Sequence, residues 1–457
     1  TTGDFPYIYS RTASQPAKEF TRQNNASKQL GFSVKPEFAR QIGKGSIRSR
    51  MELNFGWLDE GMPGDLDHPT PEARRVMQNL SVFDITDFHF GRSNISFSLS
   101  HTRGQSSIDS PSPWVYVPVD SDHRTDRTEL ALDADYNLKS WLTPQIGLSA
   151  ANEGYSMTNN LNHDRDQNRV DRTHYRLYGQ IPIEHRFFDM LRASMNTGLA
   201  ADFTESGIES SPQVEAGLSG DIQGQIVGIS AGYRESFRSP SFTDLYWQRD
   251  AFSEGNPDLA PETGHSSHLR LYTDLGTEHV KFYASIDLWE TSTDSVIVWN
   301  RGFDGIYRPM NMGTERRTGQ DHTLELSLYN TLFIKWNNTL IRSEHISGDR
   351  YLDGKELPFM PAYSERLTLA VERWGGRIDF SVRGHGREYT LPANTKWTDP
   401  YLLLDSGVSY GHSFDDIRII CSIDMKNIAD TDYETMPGYP GVGRNWSISL
   451  GIGKGEK

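Results

Sequence analysis

Hydrophobic residues in this chain recur at every second position almost from end to end, a period that belongs to strands. In "TELALDADY" (128 to 136), Leu130, Leu132, Ala134 and Tyr136 share one face, and Glu129, Ala131, Asp133 and Asp135 share the other. "HTLELSLYN" (322 to 330), "RLTLAVERW" (366 to 374) and "NWSISLGIG" (445 to 453) repeat the pattern. Helical periodicity is nearly absent, and no run of about 18 apolar residues offers a transmembrane helix.

Alternation alone fits a soluble sandwich as well as a membrane barrel. Charge inside the strands, as at Asp133 and Glu325, suits a wet lumen. The links also alternate in length. "SGDIQGQIVG" (219 to 228) and "YNTLFIKW" (329 to 336) read as tight turns, whereas "DEGMPGDLDHPTPEARR" (59 to 75) and the stretch from about 153 to 171 read as long polar loops. Short turns at one end and long loops at the other describe a transmembrane β-barrel. Composition agrees: hydrophobic residues make up 36% of the 457, yet aromatics reach 11%. Only alternate residues of such a barrel meet lipid, and aromatics gird both interfaces. The expectation is an all-β, large antiparallel barrel of about 19 or 20 strands, spanning 27–457 from the first clear strand, "SKQLGFSV" (27 to 34), with 1–26 as an N-terminal loop segment.

Several functions are disfavoured. With 46 Lys+Arg against 61 Asp+Glu the chain carries a formal charge of -15, which opposes a nucleic-acid partner. The single cysteine, Cys421, alternates with Ile417, Ile419 and Ile423 and reads as a small apolar strand residue. Neither a zinc-type histidine spacing nor a supported nucleophile motif occurs, so no enzyme is expected. In "NHDRDQNRVD", Asp164, Asp166 and Asn168 alternate in a way that could direct oxygens at one calcium ion, but the glycine and distal acid of an EF-hand are missing, and a solvated loop is the simpler reading. No other cofactor is expected. Trp247, Phe252, Trp289, Trp299 and Tyr439 suit either a ligand rim or an interface girdle.

Two stretches carry a resemblance. "SFRSPSFTDLYWQRDAFSEGNPDLAPETG" (236 to 264) contains Arg238, Pro240, Phe242, Leu245, Tyr246, Asn256, Pro257, Leu259, Pro261 and Glu262 in an order that resembles the mid-barrel signature of TonB-dependent outer-membrane receptors. Its prolines cannot donate ladder hydrogen bonds and so end pairing, and Arg238 and Glu262 can tie the loop ends by charge. "MKNIADTDYETMPGYPGVGRNWSISLGIG" (425 to 453) is similar to the closing strands of the same family, through Asn427, Asp430, Tyr433, Gly438, Tyr439, Pro440, Gly443 and Arg444, most like the cobalamin and siderophore branch. "NMGTERRTGQD" (311 to 321) is a softer match. The alternation of the last strand runs to Ile452 and the chain ends KGEK, where the family usually ends on an aromatic.

The resemblance implies a Gram-negative outer-membrane barrel of 22 strands, embedded in lipid, that takes up a scarce chelate and works with TonB. It also implies a plug domain ahead of the barrel, which these residues do not contain. An open barrel leaves unpaired backbone groups in lipid. The expectation is therefore a missing N-terminal segment or a second polypeptide that completes the barrel and supplies a plug. The chain opens TTGDFPYIYS, without the basic and apolar regions of a secretory signal. The alternative is a plugless or split barrel serving as a scaffold among other outer-membrane complex subunits.

Overall fold

The computed structural model describes every residue except 1–3, 10–17, 65–68, 112–117, 248, 250–252, 303, 415–416 and 455–457. Twenty strand segments, taken in chain order, form one antiparallel sheet rolled into a barrel. Ser27–Val34 and Glu37–Ile42 pair with Gly45–Gly61 in a single register, interrupted at Pro36, so together they make one crossing. Nineteen crossings result, the last being Asn445–Lys454. A short hairpin, Phe5–Tyr9 with Lys18–Arg22, stands outside the sheet where the sequence suggests only a loop.

The alternation is used as expected, with the apolar face turned outward. Phe97, Leu132, Leu148 and Leu177 are direct neighbours across four strands and all four are exposed on the outer surface. The opposite face is charged and cross-paired: Glu325 faces Lys335 at 2.6 Å, and the Tyr178 hydroxyl donates to Asp133. A sheet that is apolar outside and polar inside is stable only with lipid around it and water within.

Tight turns lie at one end. Ile222 pairs with Gln225 and Arg373 with Gly376, the two residues between each pair having positive φ: Gln223 and Gly224, then Trp374 and Gly375. That is the backbone a two-residue hairpin demands. Phe188, Tyr329 and Trp374 project from these turns, where the lipid interface would lie. The other end carries the longer links, with Thr204–Gly207 as a short exception.

Several strands are far longer than a bilayer requires. Val280–Arg301 and Tyr307–Leu328 run 22 residues each, about double the roughly 9–11 that cross lipid. The excess rises beyond the apolar band on the long-loop side, which accounts for one difference from the sequence reading. Of the polar stretch 153 to 171, all but 160–166 is strand or the strand-entering turn: Gln145–Asn159 climbs to its top and Gln167–Phe187 descends. Both faces can be polar there because water lies on both sides.

Lipid-face substitution tests this placement. Leu148→Arg is expected to lower stability by about 2–4 kcal/mol in denaturant titrations of the barrel in bilayer vesicles. Ser149→Arg, one residue along and facing the lumen, should cost far less.

Candidate functional site

The strand Gln225–Arg238 ends where Arg238 faces Glu262 across the ladder, and the described residues of the loop between them, 239–261, pack against neighbouring strand tops. Arg238 donates from Nε and Nη2 to the two carboxylate oxygens of Glu262 at 2.7 and 2.6 Å. Glu262 Oε1 also accepts the Ile297 backbone N–H at 2.7 Å. Glu262 is buried, so this fork of charged hydrogen bonds fixes both loop ends at the top of the wall.

Sequence periodicity misses the helix that begins the loop, Phe242–Tyr246. Its signal is local. Ser241 and Asp244 form a capping box, with the Ser241 hydroxyl accepting the Asp244 N–H and the Asp244 carboxylate accepting the Ser241 N–H. Asp244 is buried, and its other oxygen accepts the Trp299 indole N–H at 2.9 Å.

The helix docks several strands away. Arg172 is the hub: Nη1 donates to the Pro240 carbonyl at 2.8 Å, Nε and Nη2 grip Glu153 at 3.1 and 2.6 Å, and the guanidinium lies 4.8 Å from the centre of the Phe242 ring. Tyr155 stacks on Phe242 with centroids 5.9 Å apart, and His123 stacks on Trp247 at 5.3 Å. Arg127 joins Glu153 from the next strand.

The second half of the loop is held by the strands Val280–Arg301 and Tyr307–Leu328. Arg308 pairs with Glu254 at 2.8 Å, the Asn256 side chain donates to the Pro309 carbonyl, and Asn311 exchanges two hydrogen bonds with the Ala260 backbone. Gly255 fits because a Cβ there would stand 2.6 Å from the Trp247 nitrogen. The loop thus bridges the low rim above Thr204–Gly207, anchored to long strands on both sides. Pro257 and Asp258 are exposed at its tip, whereas Leu245, Tyr246, Leu259 and Pro261 are half-buried.

The other signature lies near the end of the sheet, separated from the first by several strands. Asn427, only 2% exposed and at φ 50, donates to the Thr431 and Val442 carbonyls and accepts the Thr431 N–H. Asp430 accepts the Arg444 N–H at 2.7 Å, and Gly438 takes φ 78. Tyr433 packs where Gly441 lacks a side chain, and a Cβ on Gly443 would crowd Asp430 at 2.9 Å. Tyr439 lies under Arg22 of the N-terminal hairpin, and Pro440 pairs with Glu434.

The remaining candidates scatter. Trp289 donates to Asp321, and Phe252 lies outside the described residues. Asp166 accepts the Asn159 N–H while Asp164 sits on a turn capped by Asn162, and among the described residues no three His, Cys, Asp or Glu side chains gather as a metal site.

The fold and its docked rim loop define the class: a large β-barrel with a lipid-facing exterior, a polar lumen and a structured mouth. A family model described as "TonB dependent receptor-like, beta-barrel" matches residues 9–428. The chain belongs to this family, whose barrels are Gram-negative outer-membrane proteins. It is 27% identical over 223 residues to the vitamin B12 transporter BtuB of Photobacterium profundum, covering 46% of this chain and 33% of that protein. BtuB of Vibrio cholerae serotype O1 matches at 25% over 236 residues, 49% of this chain and 34% of that protein. The chain thus spans about a third of the length of these relatives. Among solved structures, the ferric citrate transporter FecA superposes with a TM-score of 0.70 at 12% identity, covering 96% of this chain and 72% of that one. The ferric preacinetobactin receptor BauA of Acinetobacter baumannii gives 0.66 at 11%, covering 93% and 72%.

Removing the Phe242 ring tests the docking. Phe242→Ala forfeits a cation–π contact of about 0.5–2 kcal/mol together with the Tyr155 stack. Trypsin is expected to cut after Arg249 several-fold faster in this variant, while the barrel keeps its strand circular dichroism.

Proposed function

We propose that this chain is the barrel of an outer-membrane receptor for active uptake of a scarce chelate, a cobalamin or a ferric siderophore, driven by TonB. The observation that carries the reading is the ordered mouth. The described residues of the loop 239–261 are tied to the strand tops through Arg172, Asp244 and Glu262, an arrangement suited to presenting a selective surface to an outside ligand. The names of the relatives point the same way: vitamin B12 transport for the BtuB proteins and ferric chelates for FecA and BauA. No covalent chemistry is assigned to the barrel.

The reading includes further strands and a plug, supplied by additional polypeptide. Around the ring Asn445–Lys454 stands next to Ser27–Val34. The long antiparallel ladder of the last strand runs with Ile417–Lys426, and that of the first crossing with Gly45–Gly61. Residues 28–34, 37–42 and 446–453 are exposed on both faces, unlike those of inner strands. Across nineteen alternating crossings these two margins run the same way, towards the tight-turn end. They cannot pair antiparallel with one another, nor with a second copy standing in the same membrane orientation. An odd number of inserted strands satisfies both, and leaving them open in lipid costs several kcal/mol per unpaired group.

Uptake of a labelled corrinoid and a labelled ferric siderophore, measured in cells with and without a collapsed proton-motive force, tests the transport reading. Accumulation of one chelate that stops on depolarisation is expected. Normal barrel assembly with no energised accumulation of either would favour a scaffold subunit instead. For the seam, a photo-crosslinker at Ser449 should capture a strand-bearing segment and not Ser27–Ile42; capture of Ser27–Ile42 would mean that the two margins meet directly.

A further inference from the structure

One row of the outer face departs from the apolar rule. Followed from strand to strand along the ladder, it begins with Leu271 and Ile286, passes through His322, Asn338 and Glu365, and resumes beyond Gly384 with Leu402. Leu271, Ile286 and Leu402 are exposed, as lipid-facing residues should be. His322 and Asn338 each stand an odd number of residues from the lumen pair Glu325 and Lys335, so they too point outward. They lie six residues in from Leu328 and Leu332, the pair that closes the tight turn. Lipid is crossed in roughly 9–11 residues, so the polar trio lies within the bilayer and not at its edge.

The trio is short of partners. His322 Nδ1 meets Asn338 Oδ1 at 3.3 Å, and the ring stacks on Trp336 with centroids 6.0 Å apart. Glu365 lies over the bare backbone of Gly384, where a Cβ would stand 2.9 Å from its Oε1. Among the described residues the Glu365 carboxylate has neither a hydrogen bond nor an ion pair. Hydrocarbon offers such a group nothing, and ionisable side chains at this depth are rare unless they face protein or water. The order of the row identifies the protein. Along the sheet it reads base, amide, acid. A half-turn about the membrane normal through Asn338 reverses that order. A second copy in the same membrane orientation therefore sets its Glu365 against His322, its His322 against Glu365, and amide against amide. This is the closed, self-complementary contact of a two-fold dimer. Neighbouring strands are about 4.8 Å apart and tilt by about 35–45°, so the facing His322 and Glu365 differ in height by about 6 Å, within the combined reach of the two side chains.

We propose that this face is a dimer interface, at which two copies meet in the membrane through the outer faces of Tyr307–Leu328, Leu332–Ile346 and Tyr363–Arg373. Two His322–Glu365 pairs and an Asn338–Asn338 contact join them, and the apolar layers on the turn side of the row pack beneath. Asn445–Lys454 lies four strands further round the sheet, so the dimer leaves the seam free for the polypeptide that completes the barrel. Dimerisation requires the barrel in lipid but no ligand, and it stands or falls separately from chelate uptake.

Cysteine cross-linking in outer membranes tests the axis, with Cys421→Ser removing the native thiol. Asn338→Cys, on the two-fold, is expected to give an oxidised band at twice the chain mass, at least tenfold stronger than Leu148→Cys, which faces lipid elsewhere. Photobleaching of singly labelled protein, purified from outer membranes and diluted into vesicles, tests the chemistry. Two steps are expected for the wild type. His322→Glu or Glu365→His alone should leave mostly single steps, and both together should restore two. His322→Leu with Glu365→Leu, side chains that lipid accepts, should give single-step barrels at least as resistant to denaturant as the wild type. Single steps for the wild type, cross-linking no stronger at Asn338 than at Leu148, a folded swap that fails to pair, or a double-leucine barrel that still pairs overturns the dimer.

Discussion

Every backbone N–H and C=O that lies at the depth of lipid tails must find a partner within the protein, because the surroundings offer none. The long antiparallel ladders follow from this requirement. From Gly45 to Lys426 each strand of the sheet has a neighbour on both sides, and their registers run unbroken for up to 18 paired residues. The same requirement singles out the margins. Residues 28–34, 37–42 and 446–453, which stand next to one another around the ring, are exposed on both faces.

Above the lipid band the constraint relaxes and charge takes over. Here the strands continue with polar residues on both faces, and ion pairs of ladder neighbours hold the wall, as in Arg127–Glu153–Arg172. That triad does more than join strands. Arg172 extends from it to a backbone carbonyl and an aromatic ring of a loop that leaves the sheet several strands away. A guanidinium suits this work because its planar fork serves a carboxylate, a carbonyl and a ring face together, which an ammonium cannot do. On the far side, Asp244 caps its own helix and accepts from Trp299. Both ends of the irregular stretch, around Pro240 and around Asn256, are therefore tied to the strands by named hydrogen bonds.

The barrel itself was legible in the residues. Alternation at Leu130, Leu132 and Tyr136, the strand at 27–34 and the tight turns near 223 and 330 all stand where the pattern puts them. Side-chain alternation is a local property of an extended backbone, so it survives any tertiary arrangement. Less was legible at the strand tops. The polar stretch from 153 to 171 reads as loop because nothing local distinguishes a polar strand surrounded by water from a loop. The helix at Phe242–Tyr246 is shorter than any hydrophobic period can reveal; only Ser241 and Asp244, three residues apart, announce it.

The sequence by itself determined which face of each strand meets lipid, which end carries the short turns, and the family to which the two signature stretches belong. Tertiary structure decided which residues meet. Nothing in the chain order brings His123, Tyr155 and Arg172 to Phe242 and Trp247. Such encounters depend on how far each strand rises past the lipid and on how the sheet curves, and both are set by the summed register of many ladders. Local periodicity carries no record of that sum.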